Sequence, residues 1–311
     1  MEEKFQLAKI ARMYYEDGLT LADIGSRIHV SRYTVSRMLK QAKEIGVVEI
    51  LIHDQWQQSE SLEFHLKESF NLEHVVVMVR GDRTDQELYK GLGFLGGQYL
   101  SQVLEPGSVL GISWGRTMNS LVEQFQPSGK KDLRVVQMMG FAGVDNLNID
   151  GPDIARRLAE KLNCPYQFLP APLVVESPEL KADLINQGKI REVLSMADSS
   201  GIKVFSVGCL SQADHSIWTG YMDSADFQVL MDAGVVGHIS GHFFDEQGEI
   251  VDVRISRTII GTDLEAISQT PLSICVAGGG SKWNAILGGL RGGFFNVLVT
   301  DDLSAREILA S

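Results

Sequence analysis

Residues 20–45, TLADIGSRIHVSRYTVSRMLKQAKEI, hold two amphipathic helical patterns joined by a tight turn. Thr20 is placed to cap the first, with Leu21, Ile24 and Ile28 inward, and Asp23 three residues later suits the positive end of the helix dipole. His29 and Val30 form the connection, and Ser31 caps a second helix that buries Val35, Met38, Leu39 and Ala42. Its other face offers Arg32, Tyr33, Thr34, Ser36, Arg37 and Lys40, which are two guanidiniums, several hydroxyls and an ammonium near a helix start. Such a face fits the DNA major groove, where Arg pairs with guanine in two bonds and hydroxyls read neighbouring base edges. Upstream, Phe5, Leu7, Ala8, Ile10, Ala11, Met13 and Tyr14 recur at three- and four-residue spacings, so a helix precedes the pair and ends at Asp17-Gly18. Downstream of Gly46, Val47, Val48, Ile50, Leu51 and Ile52 predict a short strand, a small wing beside the third helix. Residues 1–53 thus read as an all-α helix-turn-helix domain.

At 311 residues the chain exceeds what one hydrophobic core usually supports, which favours a second domain. The net charge of −12 is unevenly spread: residues 1–53 hold eight of the 28 Lys and Arg and seven of the 40 Asp and Glu, so the remainder carries −13. An acidic body repels DNA and confines contact to the head. No apolar run nears the roughly 20 residues of a membrane helix. The acidic, amphipathic start lacks the features of a secretory signal, so the expected location is the cytoplasm and no membrane partner is expected. Cys164, Cys209 and Cys275 are far apart and form no C-x-x-C pair, the pattern of buried small residues rather than of disulfides or zinc.

Residues 54–73, DQWQQSESLEFHLKESFNLE, predict a linker and connecting helix with Leu62, Phe64, Leu66 and Phe70 near helical spacing. That helix suits either a partner subunit or a solvated connector. From residue 74 onward, VVVMV (75–79), SVLGIS (108–113), RVVQMM (134–139), KVFSVG (203–208), LSICVAG (272–278) and NVLVT (296–300) alternate with helical stretches. The alternation predicts a doubly wound α/β domain over 74–311, a mostly parallel sheet with helices on both sides and ligands at the carboxyl ends of its strands. Gly91, Gly93 and Gly96 match G-x-G-x-x-G, but they follow the charged run DQELYK rather than a strand, so they predict close helix packing and not a dinucleotide.

Two strand ends carry ligand chemistry. Residues 109–112 run into Ser113, Trp114, Gly115, Arg116 and Thr117 and then a helix, whose first N–H groups suit an anion that Arg116 would also meet. Residues 274–277 run into Gly278, Gly279, Gly280, Ser281 and Lys282; glycines allow close backbone approach, and a lysine in a first helical turn is misplaced unless an anion meets it. The two loops together point to a phosphorylated small molecule. His238 and His242, four apart, lack a third ligand at a recognised spacing and read as core or surface histidines rather than a metal site. Asp245 reads equally as a hydroxyl-binding or a turn-capping carboxylate.

The chain resembles the SorC-type family of sugar-responsive bacterial transcription regulators over essentially its whole length. The resemblance is carried by YYEDGLTLADIGSRIHVSRYTVSRMLKQAKEIGVVEI (14–50), GISWGRTMNSL (111–121), GHFFDEQGEIV (241–251) and VAGGGSKWNAILGGLRGGFFNVLVTDDLSAREIL (276–309). It implies an effector domain similar in fold to glucosamine-6-phosphate deaminase and ribose-5-phosphate isomerase, a phosphorylated sugar or polyol effector, no cofactor, operator DNA as partner and commonly a homotetramer. It implies that Ser113, Gly115, Arg116, Thr117 and Asn119 line one side of the pocket, that Asp245 meets hydroxyls, and that Gly279, Gly280 and Lys282 face the ligand. One branch of the family forms a Schiff base from a lysine after a strand similar to VVQMMG. This chain has Met139 there, and Lys282, placed for an anion, is a poor nucleophile, so binding is expected to be reversible. The rival class is an isomerase or deaminase with an added head, for which Asp150 and Asp153 in NIDGPD offer carboxylates. Their Gly-Pro context favours turn and capping roles instead.

Overall fold

The computed structural model describes residues 2–48, 56–127, 129–143, 147–210, 218 and 220–311. The chain divides into two compact units, residues 1–55 and 56–311.

The first unit holds α1 (Glu2–Tyr15), α2 (Leu21–Ile28) and α3 (Arg32–Glu44). Thr20 and Asp23 form a reciprocal capping box, and Ser31 accepts a hydrogen bond from the Thr34 N–H at 3.1 Å. Between the helices His29 takes a left-handed conformation (φ 56°), and a Cβ on Gly25 would lie 2.7 Å from the Val30 carbonyl oxygen, so the turn closes only over glycine. Leu7, Ile10, Ala11, Ile24, Val35, Leu39 and Ala42 are buried, whereas Phe5, which shares the spacing of the first helix, is 77% exposed. Val47 and Val48 do not form a strand; their N–H groups bond the Ala42 carbonyl in a bend after α3. The rest of the expected wing, Ile50, Leu51 and Ile52, lies outside the described residues.

The second unit opens with α4 (Glu60–Phe70), then β1 (His74–Met78), α5 (Asp85–Val103), β2 (Val109–Ile112), α6 (Arg116–Gln124), β3 (Arg134–Gln137), α7 (Gly151–Leu162), β4 (Tyr166–Gln167), α8 (Pro178–Ile185), α9 (Gly188–Asp198), β5 (Ile202–Phe205) and β6 (Gly208–Cys209). It continues with α10 (Ser224–Asp232), β7 (Val235–Ile239), β8 (His242–Asp245), α11 (Leu264–Ser268), β9 (Leu272–Val276), α12 (Trp283–Arg291), β10 (Val297–Asp301) and α13 (Asp302–Ala310). A seven-stranded parallel sheet has the order β1-β10-β9-β5-β2-β3-β4, and β6, β7 and β8 form a small antiparallel sheet.

The strand period of two divides the large sheet between two cores. Val76, Met78, Leu110, Ile112, Val204, Ile274, Val276, Val297 and Val299 point to the side covered by α5, α6 and α7. Val75, Val77, Phe205, Cys275 and Leu298 point to the side covered by α4, α12 and α13. Burial on both faces is why these strands read as continuous apolar runs. Helix α4 belongs to this second core: Leu66 is fully buried in it and Glu63 accepts the Val77 N–H at 2.9 Å. The glycine triplet behaves as the sequence suggests. It sits inside α5, where a Cβ on Gly93 would lie 2.6 Å from the Ser120 backbone and one on Gly96 2.9 Å from Val276, so α5 and α6 approach to backbone contact.

Candidate functional site

The carboxyl ends of β2, β3 and β5 and the loop after β9 surround a cavity of about 640 Å³, part of it open to solvent. Ser113, Gly115, Arg116, Thr117, Met139 and Lys282 line it, together with Trp114, Ser206, Val207, Gly208, Trp218, His238 and Ser240. The order of strands explains the place. Connections leave β2 toward β3 and β4 on one side and the chain returns to β5 on the other, so adjacent strand ends part here and leave a crevice.

The β2–α6 loop is built for an anion. Gly115 (φ 116°) precedes α6 and supplies no capping side chain, so no cap residue takes up the first-turn N–H groups of this nine-residue helix. The guanidinium of Arg116 lies over the Tyr89 ring at 5.6 Å. Opposite, Lys282 is only 7% exposed, and its ammonium donates to the Val207 carbonyl at 3.0 Å. The loop that carries Lys282 is fastened from below. Asp301, fully buried at the end of β10, accepts the Gly279 N–H at 2.6 Å and, as the cap of α13, the N–H groups of Leu303 and Ser304 at 3.1 Å. Gly279 has φ 103°, and the Lys282 N–H closes the turn on its carbonyl at 2.9 Å.

The far wall is aromatic and hydroxylic. The Trp218 indole N–H donates to His238 Nε2 at 3.2 Å, and the rings meet edge to face. Among the described residues Ser240 Oγ and Trp114 Nε1 are buried with no hydrogen-bond partner, which suits a ligand rich in hydroxyl oxygens. Beneath, Gln137 donates to the Met139 carbonyl at 2.6 Å and accepts the Leu169 N–H at 3.2 Å, holding the residue after β3 in place. No carboxylate lines the cavity among the described residues.

Four expected residues stand apart from the cavity lining. Asn119 faces α7, accepting from Arg157 at 2.6 Å and donating to Glu123 at 2.9 Å. Asp245 accepts the N–H groups of Gln247 and Glu249 at 3.0 and 2.9 Å, so it caps the turn after β8. Gly279 and Gly280 shape the loop behind Lys282 rather than line the cavity. His238 and His242 are not on a helix at all; they occupy the two strands of the β7–β8 hairpin. Among the described residues no group of three His, Cys, Asp or Glu gathers as metal ligands. Burial pushes the Cys275 thiol up to about 12, which removes its thiolate from neutral chemistry. Of the residues missed by sequence reasoning, Ser206, Val207 and Gly208 carried a signal, since KVFSVG reads as a strand and ligands gather at strand ends. Trp114 lies within the quoted loop, whereas Trp218, from the chain between β6 and α10, and His238 and Ser240, from the β7–β8 hairpin, carried none.

In the first unit Tyr33 is 76% exposed, and Arg32, Ser36, Arg37 and Lys40 are exposed on the face of α3 opposite its core. Thr20, Ser31 and Thr34 are occupied locally: Thr20 in its capping box, and Ser31 Oγ 2.9 Å from the Thr34 hydroxyl. They fix the helices that present the others.

Comparison with known proteins supports both units. Residues 54–310 match the family model described as "Putative sugar-binding domain", and residues 7–44 match "Sigma-70, region 4". The chain is 30% identical to the deoxyribonucleoside regulator of Bacillus subtilis over 310 residues, covering 99% of this chain and 98% of that protein. It is 31% identical to the transcriptional regulator LsrR of Escherichia coli K12, covering 100% and 96%. The full-length sorbitol operon regulator SorC from Klebsiella pneumoniae superposes with a TM-score of 0.79 at 28% identity over 98% of each chain. A helix-turn-helix head, a parallel-sheet body and these matches lead to one conclusion: the chain belongs to the SorC-type family of sugar-binding transcriptional regulators.

Proposed function

We propose that this regulator binds a phosphorylated sugar or polyol reversibly in the β2–β5 cavity, and that occupancy changes its affinity for operator DNA. The observation that carries the reading is that Arg116, Lys282 and the start of α6, whose cap Gly115 has no side chain, meet around a cavity that no carboxylate lines among the described residues. That is an anion seat, and the hydroxyls of Ser113, Thr117, Ser206 and Ser240 supply partners for a polyol. Coupling follows if the ligand favours one arrangement of the oligomer over another. A single near-neutral head reads a half-site, so self-association, as in a tetramer, is part of the DNA-binding proposal. The protein works in the cytoplasm without a cofactor.

An isomerase or deaminase reading is weaker. Asp150 caps α7 and accepts the N–H groups of Ala142, Gly143 and Gly151 at 3.0, 3.0 and 2.7 Å, and Asp153 pairs with Arg156 and Arg157 at 2.6 Å. Both carboxylates are spent on structure. Nor does Met139 offer an amine for an imine.

Thermal unfolding of the full chain with a panel of sugar phosphates and their unphosphorylated parents tests the proposal. A phosphorylated compound at about 100 times its Kd should add roughly 2.7 kcal/mol and raise Tm by several degrees. Equal shifts from the unphosphorylated parents would remove the anion seat from the account. Turnover of any panel member above a Lys282→Ala control would favour the enzyme.

A further inference from the structure

The end of α1 and one flank of α3 form a surface concavity that borders the groove-reading face and shares Ser36 and Lys40 with it. Tyr14, Tyr15, Ser36, Lys40 and Lys43 line it over Leu39. Ser36, Lys40 and Lys43 follow the i, i+4, i+7 stripe, about 10 Å long at 1.5 Å per residue. Tyr33, Arg37 and Lys40 make the neighbouring stripe, opposite the buried Val35, Leu39 and Ala42. A helix lying in the major groove with the second stripe toward the bases therefore turns the first stripe toward one groove wall, which is sugar and phosphate.

The concavity has what a phosphate needs. Lys43 Nζ sits 5.9 Å from the centre of the Tyr15 ring, and Tyr14 meets Tyr15 edge-on at 4.9 Å, so the ammonium and the phenol rings are arranged against each other before DNA arrives. Both tyrosines are partly exposed, 38% and 43%, and a phenol O–H donates well to a phosphate oxygen. Among the described residues no acidic side chain lines the concavity, although acidic and basic residues nearly balance across residues 1–53. Glu44 pairs with Lys40 at 3.9 Å.

We infer that Tyr14, Tyr15 and Lys43 form a seat for a DNA backbone phosphate beside the major groove, anchoring the head without reading sequence. This inference rests on the reading of α3 as the groove helix. A base-reading contact changes preference between sequences, whereas a phosphate contact changes affinity for all of them and its salt dependence.

The test uses the full chain, a duplex selected by the wild-type protein from a random pool, and an unrelated duplex of equal length. Lys43→Gln should weaken both by the same factor, roughly five- to tenfold near 0.1 M salt, and reduce the slope of log K against log salt by about 0.9. Lys43→Arg should keep the wild-type slope. Tyr15→Phe, which keeps the ring and loses the hydroxyl, should weaken both duplexes equally with the slope unchanged. An unaltered slope in Lys43→Gln, a loss confined to the selected duplex, or a Lys43→Arg protein as weak as Lys43→Gln would overturn the seat. Failure of the wild-type chain to select any duplex, or an Arg37→Ala protein with unchanged sequence preference, would instead count against the groove reading on which the seat rests.

Discussion

The ammonium of Lys282 and the main-chain carbonyl of Val207 lie 3.0 Å apart, joining the loop after β9 to the loop after β5 across the cavity. A lysine has three donors, so this bond fixes the side chain and leaves hydrogens for an anion. Lys282→Met keeps the length and removes the charge; it should abolish stabilisation by sugar phosphates while the chain without effector still binds operator. Lys282→Arg should retain part of the response. Calorimetric titration with the best sugar phosphate separates the three proteins, and undiminished binding by Lys282→Met would show that the lysine does not meet the anion.

Asp301 gathers three N–H donors and the Ser304 hydroxyl in a fully buried place. Asp301→Ala leaves those donors unpaired and uncaps α13, which should destabilise the body by about 3 kcal/mol. Asp301→Asn should fall between, since one oxygen can still cap the helix while the amide opposes the Gly279 N–H. Urea unfolding measures both. A loss under about 0.5 kcal/mol for the alanine variant would contradict the anchoring role.

Gly93→Ala sets two effects against each other. Alanine is favoured over glycine within a helix by about 1 kcal/mol, yet its Cβ would meet the Ser120 backbone at 2.6 Å, and separating α5 from α6 costs about 1–3 kcal/mol or more. The clash should win and lower stability. Gly188→Ala, with nothing within 4 Å of the added carbon, is the control and should be neutral or stabilising. A stabilised Gly93→Ala protein would show that the two helices can part cheaply.

Burial holds the imidazole of His242 below its ordinary value, outweighing the pull of the Asp263 carboxylate in the other direction. The unfolded chain then binds the proton first as pH falls. Stability from this group is complete above about pH 6.5 and is lost as pH drops from there toward the folded value, by up to roughly 1.4 kcal/mol per pH unit. Comparison of unfolding midpoints at pH 7.5 and 5.5 should show a smaller acid loss in His242→Gln than in the wild type. Equal losses would place the acid sensitivity elsewhere.

Six of the seven parallel strands were legible because burial on both faces makes each an apolar run. The seventh, Tyr166–Gln167, is two residues long at the sheet edge and has no run to read. The small sheet was obscured for a similar reason: β6 has two residues, and β7 mixes Gly237 and His238 with its valines. His238 and His242, four apart in sequence, stand on the two strands of the β7–β8 hairpin with its turn between them. Helix-start chemistry exposed Ser113, Gly115, Arg116, Thr117 and Lys282, because an uncapped helix and a misplaced lysine are local features. Trp218 and Ser240 reach the cavity only through the tertiary fold. Asp245 shows the opposite limit, since a turn-capping carboxylate and a hydroxyl-binding one look alike until the acceptors of Gln247 and Glu249 are known.

The most direct measurement of the central claim is the affinity of the full-length protein for its selected duplex, with and without saturating sugar phosphate, in the wild type and in Lys282→Met. Allosteric coupling of the usual size predicts a change of about 5- to 150-fold in the wild type and none in the variant. An operator affinity indifferent to every sugar phosphate, or one that responds equally in both proteins, would contradict the account.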